Sequence, residues 1–299
     1  MRAFPEVIDS SLMAAFKSCP AKAKMEYFDH WKLRGQSVHL HAGAAFATGV
    51  EKTRVAYYAE GRSPEDALGA GMLALLNAYG DFECPSDSPK SAERMMGALE
   101  FYFSHYRLGE DKAVPLTLPG GKRGIEFSFL EPLEIKHPVT GNPLLYSGRL
   151  DMLCEFEGMQ LMMDDKTASQ LGASWPRQWE HRSQFTAYAW GCGRAGIKVE
   201  GMLVRGISIL KTKYDTLQTL TYRPNWVIDR WYEQLNHDLQ RMIKCWEEDY
   251  FDYNLDHACN EYSGCPFSSV CSLRDPTDLL AMRYERREWN PVTRKETVL

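Results

Sequence analysis

Apolar and polar residues follow two rhythms along this chain, and the change between them marks its organisation. From Ile8 to Tyr106 the apolar positions recur at helical spacing. Asp9 or Ser10 is the predicted N-cap of a first helix, which buries Leu12, Ala15 and Phe16 and stops at Cys19-Pro20. Ala21 to Trp31 reads as a second helix with Met25, Phe28 and Trp31 as its apolar face. His39 to Glu60 reads as an amphipathic helix through Leu40, Ala44, Ala47, Val50 and Val55, and it carries Glu51 inward. Gly61-Arg62-Ser63-Pro64 ends it, and further helices are predicted over Pro64 to Tyr79 and Ser91 to Tyr106. From Gly124 the period becomes two: Ile125, Phe127 and Phe129 alternate with Glu126 and Ser128, as in a strand. A turn-rich loop over 137–143 precedes two apolar-rich runs on either side of Glu157-Gly158, the pattern of a β-hairpin with a two-residue loop. Ser174 is placed to cap a helix with Pro176 in its first turn and Gly191 and Gly193 at its end. Lys198 to Leu210 and Thr216 to Tyr222 read as strands. Asn225 to Phe251 is the longest helical pattern, with Trp226, Trp231, Leu235, Leu239, Met242 and Trp246 as its core face. This order predicts an α/β fold with a mixed central β-sheet flanked by helices. Within a single domain, residues 1–120 form a helical elaboration, 121–223 the sheet core, and 224–299 a C-terminal helix followed by clustered cysteines.

The hairpin register sets Asp151 directly opposite Asp164, with Cβ atoms roughly 4.5–5.5 Å apart on one face. Lys166 shares that face because strand side chains alternate. Leu150, Met152, Cys154, Leu161 and Met163 form the opposite, apolar face, and a one-residue slip would exchange the two sets. Two carboxylates and a lysine converging on one face are costly without a cation, and they suit a hard ion such as Mg²⁺ or Mn²⁺. For an isolated Asp-x-Lys the competing reading is a solvated surface hairpin.

With 44% hydrophobic and 25% charged residues in 299, the chain belongs to the ordinary soluble globular class. Its net charge of −5 argues against a protein that merely coats nucleic acid. Neither a basic-then-apolar N-terminal segment nor an uninterrupted apolar run of about 18 residues is present, so a cytoplasmic location without a membrane partner is expected. Eight cysteines without a secretory signal point to metal ligation or buried thiols. Cys259, Cys265 and Cys271 are evenly spaced, with Gly264 and Pro266 to hold them in a loop. Three thiols leave tetrahedral ligation one short, and Cys19 is available as the fourth. Cys84, Cys154, Cys192 and Cys245 are expected to be buried hydrophobes.

Gln184 and Tyr188 lie one turn apart on the helix after the hairpin. The ordered set of Gly148 to Asp151, Asp164 to Lys166, and Gln184 to Tyr188 resembles the PD-(D/E)XK nuclease superfamily, in its RecB-like branch. A cysteine before a proline, here Cys19, paired with three near the C-terminus, resembles the iron–sulfur staple of the AddB nuclease and of the CRISPR-associated adaptation exonucleases. In those families a 4Fe-4S cluster ties the chain ends together; zinc is the alternative here. The resemblance runs from Ser10 to Cys271, with the compactness of phage-type members. It implies a restriction-endonuclease-like core and a metal-dependent DNA exonuclease acting on DNA ends or single strands in recombination, repair or processing. It further implies Asp151, Asp164, the Asp165 carbonyl and Glu51 as holders of Mg²⁺ or Mn²⁺, Lys166 as the residue that positions water, and Gln184 and Tyr188 as contacts to the substrate backbone. DNA is the implied partner, together with a recombination or single-strand-binding protein. Arg274, Arg283, Arg286, Arg287, Arg294 and Lys295 either contact phosphates or form a solvated tail. One departure is clear: Gly43 and Glu51 fit the family helix, but Ala47 stands where several relatives carry a metal-binding histidine. Ala47 is the best support for an alternative, a DNA-binding module with a structural metal that keeps the fold without cutting, and intact Asp151, Asp164 and Lys166 argue against it. A sequence-specific restriction endonuclease is a third reading, and Gln184, Tyr188 and the four cysteines argue against it.

Overall fold

Asp9 ends a short strand, β1 (Val7–Asp9), and caps the helix that follows, its Oδ1 accepting the Leu12 N–H at 2.8 Å. That helix, α1 (Ser10–Ser18), stops at the extended Cys19, and α2 (Pro20–Ala23) passes into a π-helical turn over Lys24–Phe28. The computed structural model describes residues 3–35, 37–260 and 264–299. After β2 (Trp31–Leu33) come the helices α3 (Val38–Arg54), which ends in a π-helical turn over Val55–Ala59, α4 (Pro64–Tyr79) and α5 (Ala92–His105). Ser63 and Ser91 cap the last two helices with side-chain hydrogen bonds. Strands β3 (Val114–Pro115), β4 (Ile125–Lys136), β5 (Pro143–Phe156) and β6 (Met159–Ala168) follow, then α6 (Arg177–Glu180), α7 (Ser183–Arg194), β7 (Gly201–Ile209), β8 (Tyr214–Tyr222) and α8 (Asn225–Glu247). The chain closes with α9 (His257–Asn260), α10 (Ser268–Cys271), α11 (Thr277–Arg283), β9 (Tyr284–Asn290) and β10 (Lys295–Val298). The fold is α/β, with a mixed central sheet flanked by helices, as the change of period predicts. Among the described residues no helix is long and apolar enough to cross a membrane.

The chain divides into two units, and β4 and β5 run through both. The unit made of Gln36–Ser128 and Arg149–Asn225 holds the hairpin. Its sheet pairs β5 with β6 antiparallel from Phe156↔Met159 to Met152↔Met163, β6 with β7 in parallel, and β7 with β8 antiparallel. Helices α3, α4 and α5 bury Phe46, Val50, Leu75, Leu99 and Tyr102 against Ile207 and Ile209 of β7. On the reverse face Gly206 lets the Trp175 ring approach; a Cβ there would lie 2.5 Å from Trp175 Cζ2. Met162, Met163, Leu203 and Val204 are all buried, so both faces are covered and the strands read as nearly continuous apolar runs.

In the unit of Met1–Gly35, Phe129–Gly148 and Trp226–Leu299, β1 runs parallel to the first half of β5, Val7↔Leu145 to Asp9↔Ser147. Gly148 lies under the Phe129 ring, where a Cβ would come within 2.3 Å of Cζ, which accounts for glycine at that motif position. Three expectations are corrected here. Trp31 does not end a helix: His30 turns the chain at φ 59, and Trp31 pairs with Arg286 of β9, whose guanidinium stacks 4.6 Å above the indole. The basic C-terminal segment is not a free tail: Arg286 and Arg287 lie in β9 and Lys295 in β10, within an antiparallel sheet of order β10-β9-β2. Arg287 pairs with Glu285 and Glu296. Finally, Leu235, Leu239, Met242 and Trp246 of α8 are buried as predicted, but Trp226 is 61% exposed, its ring partly covered by Arg230 at 4.9 Å.

Candidate active site

Glu157 and Gly158 both take positive φ, 51° and 83°, as a tight two-residue hairpin requires. The β5–β6 ladder it starts runs to Met152↔Met163 and then opens. The next opposed pair is Asp151 and Asp164. Continued pairing would set Asp165 against Leu150; instead the Asp165 N–H donates to Asp151 Oδ2 at 2.7 Å. A strand residue projects its N–H and C=O to the same side, so the Asp165 carbonyl faces the opening. Burial agrees: the Asp165 side chain is 3% exposed, although the residue as a whole is only half-buried, so its accessible surface belongs to the main chain.

That side chain points to the sheet face covered by α3 and α5. Arg54 Nη1 donates to Asp165 Oδ2 at 2.6 Å, Tyr102 Oη to Asp165 Oδ1 at 2.6 Å, and Arg54 Nη2 to Tyr102 Oη at 2.9 Å. Burial works against the Arg54 charge, but Asp165 outweighs it and keeps the guanidinium protonated. Asp165 is thereby fixed through both its side chain and its N–H, and its acidity is satisfied away from the opening.

Asp151 and Asp164 remain. Burial raises the pKa of Asp151 well above its ordinary value, and the charges of Asp164 and Asp165 raise it further. Burial also raises the pKa of Asp164, against the opposing pull of Lys166. Burial works against the Lys166 charge, yet Asp164 and Asp151 hold its pKa above the usual lysine range. Lys166 Nζ is ion-paired with Asp164 Oδ2, but no hydrogen bond of regular geometry reaches that buried oxygen. Two buried carboxylates, each held above its ordinary pKa by burial, fit a hard divalent cation as donor chemistry. Among the described residues no three His, Cys, Asp or Glu side chains are gathered as a preformed metal cage. Two carboxylates and one carbonyl suit an ion that keeps water and takes phosphate oxygens as its remaining ligands.

A cavity of about 500 Å³ opens here, lined by Asp151, Asp165, Lys166 and Thr167 and, from α3, by His39, Gly43 and Ala47. Gly43 permits the close approach of α3 to β6, since a Cβ there would stand 3.3 Å from Thr167 Oγ1. Ala47 faces the cavity. Glu51, one turn on, is half-buried and does not line it. His41 is a structural residue, its Nε2 within 2.8 Å of the Tyr79 carbonyl and its ring stacked on Phe82. The single helix expected from Ser174 is two, α6 and α7, because Arg182 is extended at ψ 112 between them. The break carries Arg182 to where its charge acts on both Asp164 and Lys166. Gln184 Nε2 donates to Tyr188 Oη at 2.8 Å on α7, and neither residue lines the cavity.

Sequence reasoning missed Arg182, Arg54, Tyr102 and Lys90, a further residue of the cavity. Arg54 left a signal, seven residues after Ala47 and so on the same helix face; Lys90, in a loop, left none.

In the other unit, Cys271 has its thiol pKa raised by burial and then by the charges of Cys265, Cys19 and Cys259. The Cys265 N–H donates to the Cys259 carbonyl at 2.8 Å, and the Asn254 N–H reaches Cys19 Sγ at 3.5 Å. Residues 261–263 of the array lie outside the described residues. Three thiols near enough to act on Cys271 are the donor chemistry a cluster or zinc requires, although among the described residues they are not drawn into a ligand set. Cys154, Cys192 and Cys245 are buried as expected, and Cys84 is half-buried.

Compared with family models, the chain matches the PD-(D/E)XK nuclease superfamily over residues 11–272. No curated protein matches it. Among solved structures, a candidate exonuclease from Eubacterium rectale is 13% identical over 90% of this chain and 93% of that one, with a TM-score of 0.48. The protein SSO0001 is 15% identical over 62% of this chain and 72% of that one, with a TM-score of 0.28. The assignment rests on the family match, which spans most of the chain: this protein belongs to the PD-(D/E)XK nuclease superfamily.

Proposed function

We propose that this member of a nuclease superfamily is a Mg²⁺- or Mn²⁺-dependent deoxyribonuclease of the exonuclease kind, acting on DNA ends or single strands in recombination, repair or processing. The observation that carries the reading is the opposed pair of buried carboxylates, Asp151 and Asp164, at the end of the hairpin ladder, with Lys166 paired to Asp164. Asp151, Asp164 and the Asp165 carbonyl hold the cation. When bound, the cation polarises a water and neutralises charge on the scissile phosphate. Lys166 Nζ, held protonated by Asp164 and Asp151, orients the water and the phosphate oxygens by donating hydrogen bonds, while Asp164 keeps Nζ at the opening. Gln184 and Tyr188 contact the substrate backbone, and Arg182 adds positive charge beside them. The RecB-like assignment is part of the same proposal, with Cys19, Cys259, Cys265 and Cys271 holding a 4Fe-4S cluster; the action of the other three thiols on Cys271 supports it, and zinc is the alternative. A second reading, a DNA-binding protein that cuts weakly or not at all, draws support from Ala47, which brings no ligand to the cavity.

The test is incubation of end-labelled linear and closed circular DNA with purified protein, with and without Mn²⁺, alongside Asp151→Ala, Asp164→Ala and Lys166→Ala. Linear DNA should be degraded only with the metal and only by wild type. Equal attack on closed circles would refute the exonuclease assignment, and a variant cutting at the wild-type rate would refute the site.

A further inference from the structure

Lys90 stands in the loop before α5 and is 3% exposed. Its backbone is tied down: the carbonyl accepts from Tyr79 Oη at 2.7 Å and the N–H donates to Ser88 Oγ at 3.3 Å. Its ammonium is not. Among the described residues no carboxylate pairs with it and no acceptor takes a hydrogen bond from it, and burial alone pulls its pKa below the usual lysine value. An ammonium drawn largely out of water without a counterion is destabilised, and no carboxylate among the described residues offsets it. The residue lines the cavity of Asp151, Asp165 and Lys166, so an anion entering that cavity has access to it. The neighbouring cations are already matched, Lys166 to Asp164 and Arg54 to Asp165.

We propose that Lys90 is a phosphate-binding group of this site: its ammonium takes a non-bridging oxygen of a nucleic-acid phosphate next to the one being cut. The inference rests on the nuclease reading of the same cavity. With Lys166 matched to Asp164, Lys90 is the lysine of the cavity lining left without a carboxylate, which suits a strand that brings phosphates whether or not a cation is bound. Phosphate contact conveys no base preference, so Lys90 sets the strand's position and not its sequence.

The experiment reads binding and not cutting. Wild type, Lys90→Met and Lys90→Arg are titrated onto a fluorescein-labelled single-stranded oligodeoxynucleotide in EDTA at a series of salt concentrations, with melting temperatures measured in parallel. Methionine keeps the apolar stem and removes the charge. Lys90→Met should bind roughly tenfold more weakly, and its slope of log affinity against log salt should fall by about 0.7, the value of one phosphate contact on a single strand. Lys90→Arg should keep most of both, and Lys90→Met should melt no lower than wild type. Unchanged affinity and salt slope in Lys90→Met would overturn the proposal; so would a lowered melting temperature, because it would mean that the ammonium has an internal partner. Oligonucleotides with and without a terminal phosphate separate the two sources: an effect confined to the phosphorylated strand assigns Lys90 to a terminal monoester, and an equal effect on both assigns it to an internal diester. The nuclease reading fails independently: if wild type cuts no DNA with Mn²⁺ while Lys90→Met still loses affinity, the phosphate site stands without the reaction.

Discussion

Replacing Asp151 by asparagine should stabilise the metal-free protein while removing its response to divalent cations. Asp151 and Asp164 face each other one step past the end of the ladder. For unit charges about 5 Å apart at an effective dielectric near 20, the repulsion is about 3 kcal/mol. Lys166 cancels part of it, which leaves a net cost on the order of 1–2 kcal/mol. Asparagine keeps an oxygen to accept the Asp165 N–H, so the 2.7 Å bond that holds β6 survives. The effect depends on pH with a definite sign. The folded chain binds the Asp151 proton more tightly than the unfolded chain does, because burial and Asp164 raise its pKa above the ordinary 3.8. The destabilisation by wild-type Asp151 is therefore complete above the raised folded-state pKa, and it fades as the pH falls toward 3.8. Urea denaturation in EDTA across this range should find Asp151→Asn more stable at alkaline pH and equal to wild type in acid. Adding Mn²⁺ at 100 times its dissociation constant should return about 2.7 kcal/mol to wild type and little to the variant. A variant less stable than wild type in EDTA at alkaline pH would show that the two carboxylates are not a strained pair waiting for a cation.

Two further outcomes follow from named residues. Ala47 faces the cavity, so Ala47→His should raise Mn²⁺ affinity by about tenfold, or 1.4 kcal/mol, in calorimetric titration without destroying activity; unchanged affinity would show that this helix position does not reach the metal. Anaerobically purified protein should be brown with about four irons per chain, and Cys19→Ser should lose as much iron as Cys271→Ser. A colourless protein with one zinc would select the alternative metal, and unchanged metal content in Cys19→Ser would remove Cys19 from the ligands.

The hairpin was legible because its signals are local: alternation with period two, a turn dipeptide, and a register that only one face assignment satisfies. The C-terminal sheet was hidden because β9 carries Glu285, Arg286, Arg287 and Glu288 in succession, with no apolar alternation to betray a strand. Its core contacts come instead from Tyr284, stacked on Phe267, and from the Arg286 guanidinium over Trp31. The helix break at Arg182 was hidden because Trp175 and Trp179, four residues apart and packed on each other, give the first segment the spacing of a continuing helix.

The reading of α3 shows what a motif conceals about charge. Aligning Gly43, Ala47 and Glu51 made the acid the residue of interest, whereas the group this helix buries against the site is Arg54, joined to Asp165 across 111 positions of sequence. Three adjacent carboxylates, Asp151, Asp164 and Asp165, would repel one another by several kcal/mol at this burial. Strand alternation puts the Asp165 side chain on the other face, where Arg54 and Tyr102 match its charge, so that its carbonyl and not its carboxylate is offered at the opening. Two carboxylates and a neutral oxygen balance one divalent cation without excess negative charge to repel phosphate. Alternation within β6 is enough to turn the Asp165 side chain away, but the partners that match its charge there, Arg54 and Tyr102, lie far off in sequence and no spacing rule within β6 could have named them.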